Sequence, residues 1–171
     1  MSQRLNYFEQ SPELSGKILE LSQALKKSSL GNTLIDLVNI RASQINGCAF
    51  CLDMHCKEAK IHGEHELRIY HLPIWRESPL FTETERAALE WTEALTKFSE
   101  HGVPDDVYDR VRAQFNEKQI SELTFAVAVI NTWNRLNIPF RIVPGSFDEQ
   151  FGLTKAGLSY PASTAKGHSG G

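Results

Sequence analysis

Basic charge, long apolar runs and cysteine are all scarce in this chain of 171 residues. Lys and Arg number 18 against 21 Asp and Glu, a formal net charge of -3. That balance excludes an electropositive nucleic-acid footprint, so no nucleic-acid partner is predicted. The longest unbroken apolar stretch, Phe125 to Ile130, is far shorter than the roughly 20 residues that span a bilayer, so no membrane span is predicted. Met1 to Gln10 carries no basic-then-apolar leader, which makes the cytoplasm the expected compartment. Cysteine occurs only three times, an odd number that argues against a structural disulfide framework. The bulk composition, 41% apolar and 23% charged, is that of one globular domain.

Helical periodicity dominates what is present. Leu14, Ile18, Leu21 and Leu25 form one apolar stripe behind a Ser11-Pro12 start. Leu34, Leu37, Val38, Arg41 and Ile45 mark a second helix, closed by Asn46-Gly47. A third helix is expected from Cys48 to His62, a short fourth from Glu64 to Leu72, and further helices behind the Thr82–Glu85 capping-box spacing and Pro104. The last long helix, about Glu117 to Leu136, packs Leu123, Phe125, Val127 and Ile130 closely enough to predict burial nearly all round, either at the domain centre or at a subunit interface, with Asn137 and Pro139 ending it. No strand pattern competes, so the fold class is all-α. The helical domain is expected over residues 1–152, with 153–171 as a C-terminal tail rich in Gly, Ser, Ala and Thr.

All three cysteines lie between positions 48 and 56, within Gly47-Cys48-Ala49-Phe50-Cys51-Leu52-Asp53-Met54-His55-Cys56. Steps of three and four place Cys48, Cys51 and His55 on one helix face, neighbouring Cβ atoms roughly 5–6 Å apart. A thiol pair at that spacing closes a disulfide with little backbone movement. The break at Gly47 puts the pair in the cap and first turn, where free amides and the helix dipole favour a thiolate. His55 then serves as proton acceptor, directly or through one water, or as an imidazolium partner. Three readings are open: thiol redox chemistry, a zinc site drawing on Cys48, Cys51, His55 and Cys56 or His62, and buried cysteines that merely fill a core. Zinc normally takes four ligands in two separated pairs, and no second Cys-x-x-Cys exists. A thioredoxin-like scaffold would set the motif behind a strand, whereas both flanks here are helical.

The run Ser43 to Cys51 through His55, with Ala59 and Gly63, Trp75 to Thr82 and Glu85 to Leu89, resembles the alkylhydroperoxidase AhpD-like branch of the carboxymuconolactone decarboxylase superfamily, over roughly residues 15 to 142. The resemblance implies an all-α fold with the motif at a helix N-terminus and a homo-oligomer, dimer-based and up to a hexamer. It implies a thiol-dependent peroxidase that reduces small organic hydroperoxides through a Cys48–Cys51 disulfide cycle. In that cycle Cys51 is the peroxidatic thiol, Cys48 the resolving thiol and His55 the base. No cofactor is implied, and the electrons come from an external dithiol reductant. Decarboxylase members lack the cysteine pair. The family's relay glutamate corresponds to Asp36, one methylene shorter, and Phe50 fills the place of a polar relay residue found in some members. A general disulfide reductase or redox sensor acting on proteins is the enzymatic alternative; a zinc-stabilised or structural oligomer is the non-enzymatic one.

Around this motif, Phe50 and Leu52 are expected to line an apolar pocket, and Cys56 to act as a small buried filler. His62, His65 and His71 are read as solvated histidines, and Glu90, Glu93 and Lys97 as an exposed paired face. Arg41 is placed to neutralise Asp36 or Asp53, or to reach solvent. Asn131 and Asn134 sit on the most apolar helix, serving either a buried polar contact or the pocket.

Overall fold

A computed structural model describes residues 2–159. Among these the chain is all-α, with no strand beyond an isolated bridge between Ser99 and Gly102. The helices are α1 (Tyr7–Gln10), α2 (Pro12–Leu25), α3 (Asn32–Asn46), α4 (Ala49–Ile61), α5 (Glu66–His71), α6 (Glu83–Thr96), α7 (Asp105–Gln114), α8 (Glu117–Phe140) and α9 (Asp148–Phe151). Short 3-10 turns follow α5 and α9, at Leu72–Ile74 and Leu153–Ala156. Leu153 and Ala156 are buried, and this last turn packs on α4. Residues 160–171, most of the stretch read from sequence as a tail, lie outside the described residues.

Helix α3 is the hub. It packs against α4, α6 and α8, and its side chains enter three separate apolar clusters. Leu34 and Val38 join the cluster beneath α6, α7 and α8. Ala42 joins the one around the thiols, and Leu37 and Ile40 the one closed by Leu72, Trp75 and Leu89. A helix packed against three others is held firmly, so the turn at its C-terminal end has little freedom. Gly47 makes that turn in the left-handed region, φ 70°, and its N–H and that of Cys48 close back on the carbonyls of Gln44 and Ser43.

Helix ends follow the sequence cues where the cue is a cap. Thr82 and Glu85 form the reciprocal capping box at α6, and Asn116 and Gln119 form a second at α8. Pro139 does not stop α8. Its ring forfeits one N–H bond and crowds the carbonyl four residues back, but only Phe140 follows it in the helix, which ends at Arg141, φ 54°. Burial also differs from the apolar pattern. Within the single chain Leu14 is 69% exposed, Leu21 40% and Phe125 54%. Ile18 and Leu25 alone carry the α2 stripe into the core.

Candidate active site

The thiols sit at the turn that α3 fixes. Cys48 is the N-cap of α4: its sulfur takes the place of a capping oxygen and accepts the backbone N–H of Cys51 at 3.4 Å. Both thiols are nearly sealed, Cys48 at 2% and Cys51 at 1% exposure, and both are free.

Facing them is a ladder of asparagines on α8. Asn131, Asn134 and Asn137 are spaced by three and all buried, a polar stripe on an otherwise apolar helix. The Asn46 amide donates to Oδ1 of Asn131 at 2.9 Å and of Asn134 at 2.8 Å. Asn134 donates to Ser43 Oγ at 3.2 Å. Asn137 donates from Nδ2 to the Cys51 sulfur at 3.2 Å, while its Oδ1 accepts the Tyr7 hydroxyl at 2.8 Å. The ladder therefore ties the α3–α4 turn, the thiol pair and the N-terminal segment to one helix. Sequence reasoning flagged the first two asparagines but took Asn137 as a helix terminator. The missed signal is the i, i+3, i+6 recurrence of one amide side chain on an apolar face.

The two thiols share a proton unequally. The Cys51 thiol hydrogen-bonds to the Cys48 sulfur, and against the cost of burial this, the Cys51 backbone N–H and the Asn134 amide hold the Cys48 thiol below its usual range. The same bond, burial and the neighbouring charge push Cys51 upward, opposed by the Asn137 and Asn134 amides. Within the pair, negative charge is therefore favoured on Cys48, at the helix N-terminus, over Cys51. Tyr7, buried and beside both sulfurs, is raised well above an ordinary phenol and stays protonated. Cys56 packs with Leu52, Ile69 and Leu80, and burial together with Asp53 pushes its thiol up to about 11.

His55 lies one turn beyond Cys51, and its Nδ1 is 2.7 Å from Glu58 Oε2. Burial would raise the Glu58 carboxyl, but His55, reinforced by Lys26, brings it down to about 2, so it is an ionised acceptor. Nδ1 therefore carries the proton and, in the neutral ring, Nε2 holds the lone pair. That Nε2 is buried with no hydrogen-bond partner among the described residues. Lys26 Nζ holds the other Glu58 oxygen at 2.7 Å.

Asp36 stands elsewhere. It is buried, and its Oδ2 is 2.6 Å from Nδ1 of His62, not from His55. Burial raises the Asp36 carboxyl against the pull of His62, and the charges of Glu58 and His55 also reach it. Two histidine–carboxylate pairs thus adjoin, and the partner of His55 is Glu58, three residues along the same helix. His62 and His65 are exposed to solvent, as read, yet each is engaged, His62 by Asp36 and His65 as the cap of α5 that accepts the Leu67 N–H, while His71 is half-buried and meets Ser78 Oγ at 2.9 Å. Arg41 and Glu93 form an ion pair at 2.7 Å, so Arg41 serves neither Asp36 nor Asp53. Glu93 also accepts from Trp75 and Arg76, a partly buried junction in place of an exposed face. No group of three His, Cys, Asp or Glu side chains among the described residues is arranged to hold a metal ion.

A cavity of about 180 Å³ opens beside the thiol turn, with neither sulfur in its wall. Its wall includes Tyr7, Phe8, Phe50, Met54, Trp133 and Asn137, and its polar side chains include His55, Glu58, Lys26 and Asn39. Tyr7, Phe50, Met54, His55 and Asn137 all flank Cys51 in sequence or through the hydrogen-bond chain. Leu52 points away, into the third apolar cluster.

Fold and site together define an all-helical dithiol protein with its cysteine pair at a helix start beside an apolar cavity. The sequence profile of the carboxymuconolactone decarboxylase family matches residues 12–94, and the chain belongs to that family, in its AhpD-like branch. It is 43% identical over 138 residues to the uncharacterized protein YdfG of Bacillus subtilis, covering 81% of this chain and 94% of YdfG. It is 44% identical to a solved protein of unknown function from Agrobacterium tumefaciens, described as a candidate antioxidant defence protein AhpD. That match has a TM-score of 0.81 and covers 84% of this chain and 98% of that one. The debrominase Bmp8 shares the fold at 17% identity and a TM-score of 0.73, covering 87% of this chain and 80% of its own. No helix among the described residues is long and apolar enough to cross a membrane.

Proposed function

We propose that this protein is a thiol-dependent peroxidase that reduces small organic hydroperoxides through a Cys48–Cys51 disulfide cycle. The observation that carries the reading is the thiol pair at the start of α4, flanked by a histidine whose Nε2 is buried and unpartnered. Cys51 is assigned as the attacking sulfur because Met54 and His55, one turn along α4 from it, and Asn137, which bonds to it, line the cavity. Its proton passes to His55 Nε2. The Cys51 thiolate attacks the terminal hydroperoxide oxygen, the O–O bond breaks, and the alkoxide leaves as the alcohol with a proton from His55. Cys51 is then a sulfenic acid. Cys48 attacks it, water leaves and the disulfide forms. Two thiols and one hydroperoxide yield one disulfide, one alcohol and one water, and an external dithiol returns the two electrons.

Glu58 keeps His55 in the tautomer this needs. Asp36, at the family's relay position, serves at one remove: it faces His62, whose side chain is 31% exposed, and links the buried pair to solvent. The sealed position of both sulfurs favours a small-molecule oxidant over a protein disulfide. A cavity near 180 Å³ compares with the roughly 150 Å³ apolar cavity that holds benzene, and its carbon lining selects an uncharged body. The exposed Leu14, Leu21 and Phe125 suit a dimer-based homo-oligomer, up to a hexamer, working in the cytoplasm. The test is hydroperoxide consumption with a dithiol donor. Cys51→Ser abolishes turnover on this reading, and undiminished turnover in that variant refutes the assigned nucleophile.

A further inference from the structure

We propose that Asn137 is the hydrogen-bond donor that makes Cys51 the reactive sulfur, and that Tyr7 is the positioning residue that aims it. The inference deepens the peroxidase reading, on which it rests for the reaction itself.

A problem set by the pair motivates it. At rest the favourable position belongs to Cys48, whose sulfur receives the first free amide of α4. Cys51 lies inside the first turn, and among the described residues its sulfur receives no backbone amide. For Cys51 to attack, negative charge has to move onto its sulfur, in a place that is 1% exposed and so gives it no water. A buried anion without a donor is costly. The Asn134 amide acts on both sulfurs and so does not tell them apart; the Asn137 amide supplies Cys51 in particular, its Nδ2 3.2 Å from the sulfur and brought from 86 residues away by α8.

Donation depends on which end of the amide faces the sulfur. If Oδ1 faced it, the carbonyl dipole would favour the thiol and oppose the thiolate. Tyr7 decides the matter. Its buried hydroxyl is the proton donor at 2.8 Å to Oδ1, and it holds that oxygen away from Cys51. Tyr7 is in turn fixed by its rings and backbone. It stacks on Phe8, 4.4 Å between centroids, and lies against Phe140 and Trp133. The segment before it is pinned where Arg4 N–H meets the Phe140 carbonyl at 2.9 Å. The chain Tyr7–Asn137–Cys51 thus reaches one sulfur of the pair, and this asymmetry separates the two roles. When the proton leaves Cys51, the Asn137 bond strengthens as the charge arrives on its acceptor.

The test needs no substrate, so it stands apart from the peroxidase reading: hydroperoxide turnover by the intact protein decides that reading on its own. Cys48→Ser leaves Cys51 as the one thiol at the start of α4. The rate of its alkylation by iodoacetamide is followed against pH, with mass spectrometry reporting the Cys51 peptide. Asn137→Asp keeps the shape and the Tyr7 contact but replaces the donor N–H with oxygen; Asn137→Leu removes both. Each raises the Cys51 midpoint by about 1 to 2 pH units, the worth of a hydrogen bond to a charged group expressed as a pKa. Tyr7→Phe raises it by less, in the same direction. In the matching Cys51→Ser series the Cys48 midpoint moves less than half as far. Folded Asn137 variants with an unmoved Cys51 midpoint overturn the proposal, and so does an equal shift at Cys48. Should both Asn137 variants lose their helical circular dichroism, Tyr7→Phe decides alone: a raised midpoint supports the assignment and an unmoved one overturns it.

Discussion

Glu58 accepts the Nδ1 proton of His55 at 2.7 Å, while Asp36, which the family resemblance put forward as the relay carboxylate, holds His62 at 2.6 Å. The carboxylate that orients the histidine beside the thiols has therefore come from one turn along the motif helix, and not from the preceding helix.

Glu58→Gln tests that exchange. The amide keeps the volume but loses the charge and can present either end to Nδ1, so His55 no longer keeps its lone pair on Nε2. Turnover falls at least tenfold, within the range by which a positioned acid–base group contributes, and the low-pH limb of the rate profile moves. Asp36→Asn, acting through His62, lowers turnover less than Glu58→Gln does. Steady-state rates across pH check both, and a larger loss in Asp36→Asn would reverse the assignment.

Gly47 has a second, conformational test. Its φ of 70° is left-handed, and a Cβ placed there meets nothing within 4 Å, so any penalty is backbone strain alone. Gly47→Ala costs about 1–2 kcal/mol, read as a lowered thermal midpoint. Because this turn sets the register between α3 and the Cys48 cap, disulfide formation after peroxide also slows. An unchanged midpoint would mean the turn relaxes out of the left-handed region.

The dithiol leaves a signature in stability against pH. An ordinary unfolded thiol titrates near 8.5. Cys48, lowered in the fold, contributes stability that is present above that value and is lost as pH falls through its folded value. Cys51, raised in the fold, contributes stability that is present below that value and is lost as pH climbs through its own. The reduced protein, measured against Cys48→Ser/Cys51→Ser, is therefore most stabilised by its thiols near pH 8.5, and the stabilisation falls on both sides. Thermal melts across pH check the shape; a flat difference would mean the two thiols ionise as free cysteine does.

How much of this was legible beforehand divides along a physical line. Local chemistry was: the Thr82–Glu85 box, the Gly47 break and the Cys48 cap are signals carried within a few residues, and they stand as read. The all-α class followed from periodicity. What was illegible is what α8 brings from far along the chain. Asn137 reads as a helix stop in isolation, and only packing shows its amide on Cys51. Tyr7 lies in a segment too short to show any period. The pairing of Arg41 with Glu93 across 52 residues, and of Asp36 with His62 across 26, is likewise a matter of which helices adjoin. The exposure of Leu14 and Phe125 in the single chain was not legible because periodicity marks an apolar face without saying whether this chain alone covers it.

The most direct measurement is mass spectrometry of the reduced protein after one equivalent of an uncharged organic hydroperoxide, with a sulfenic-acid trap present. The account predicts a Cys48–Cys51 disulfide in the native sequence, a trapped sulfenic acid on Cys51 in Cys48→Ser, and an unoxidised Cys56 in both. Three free thiols surviving in the native sequence, or the trap landing on Cys56, would contradict it.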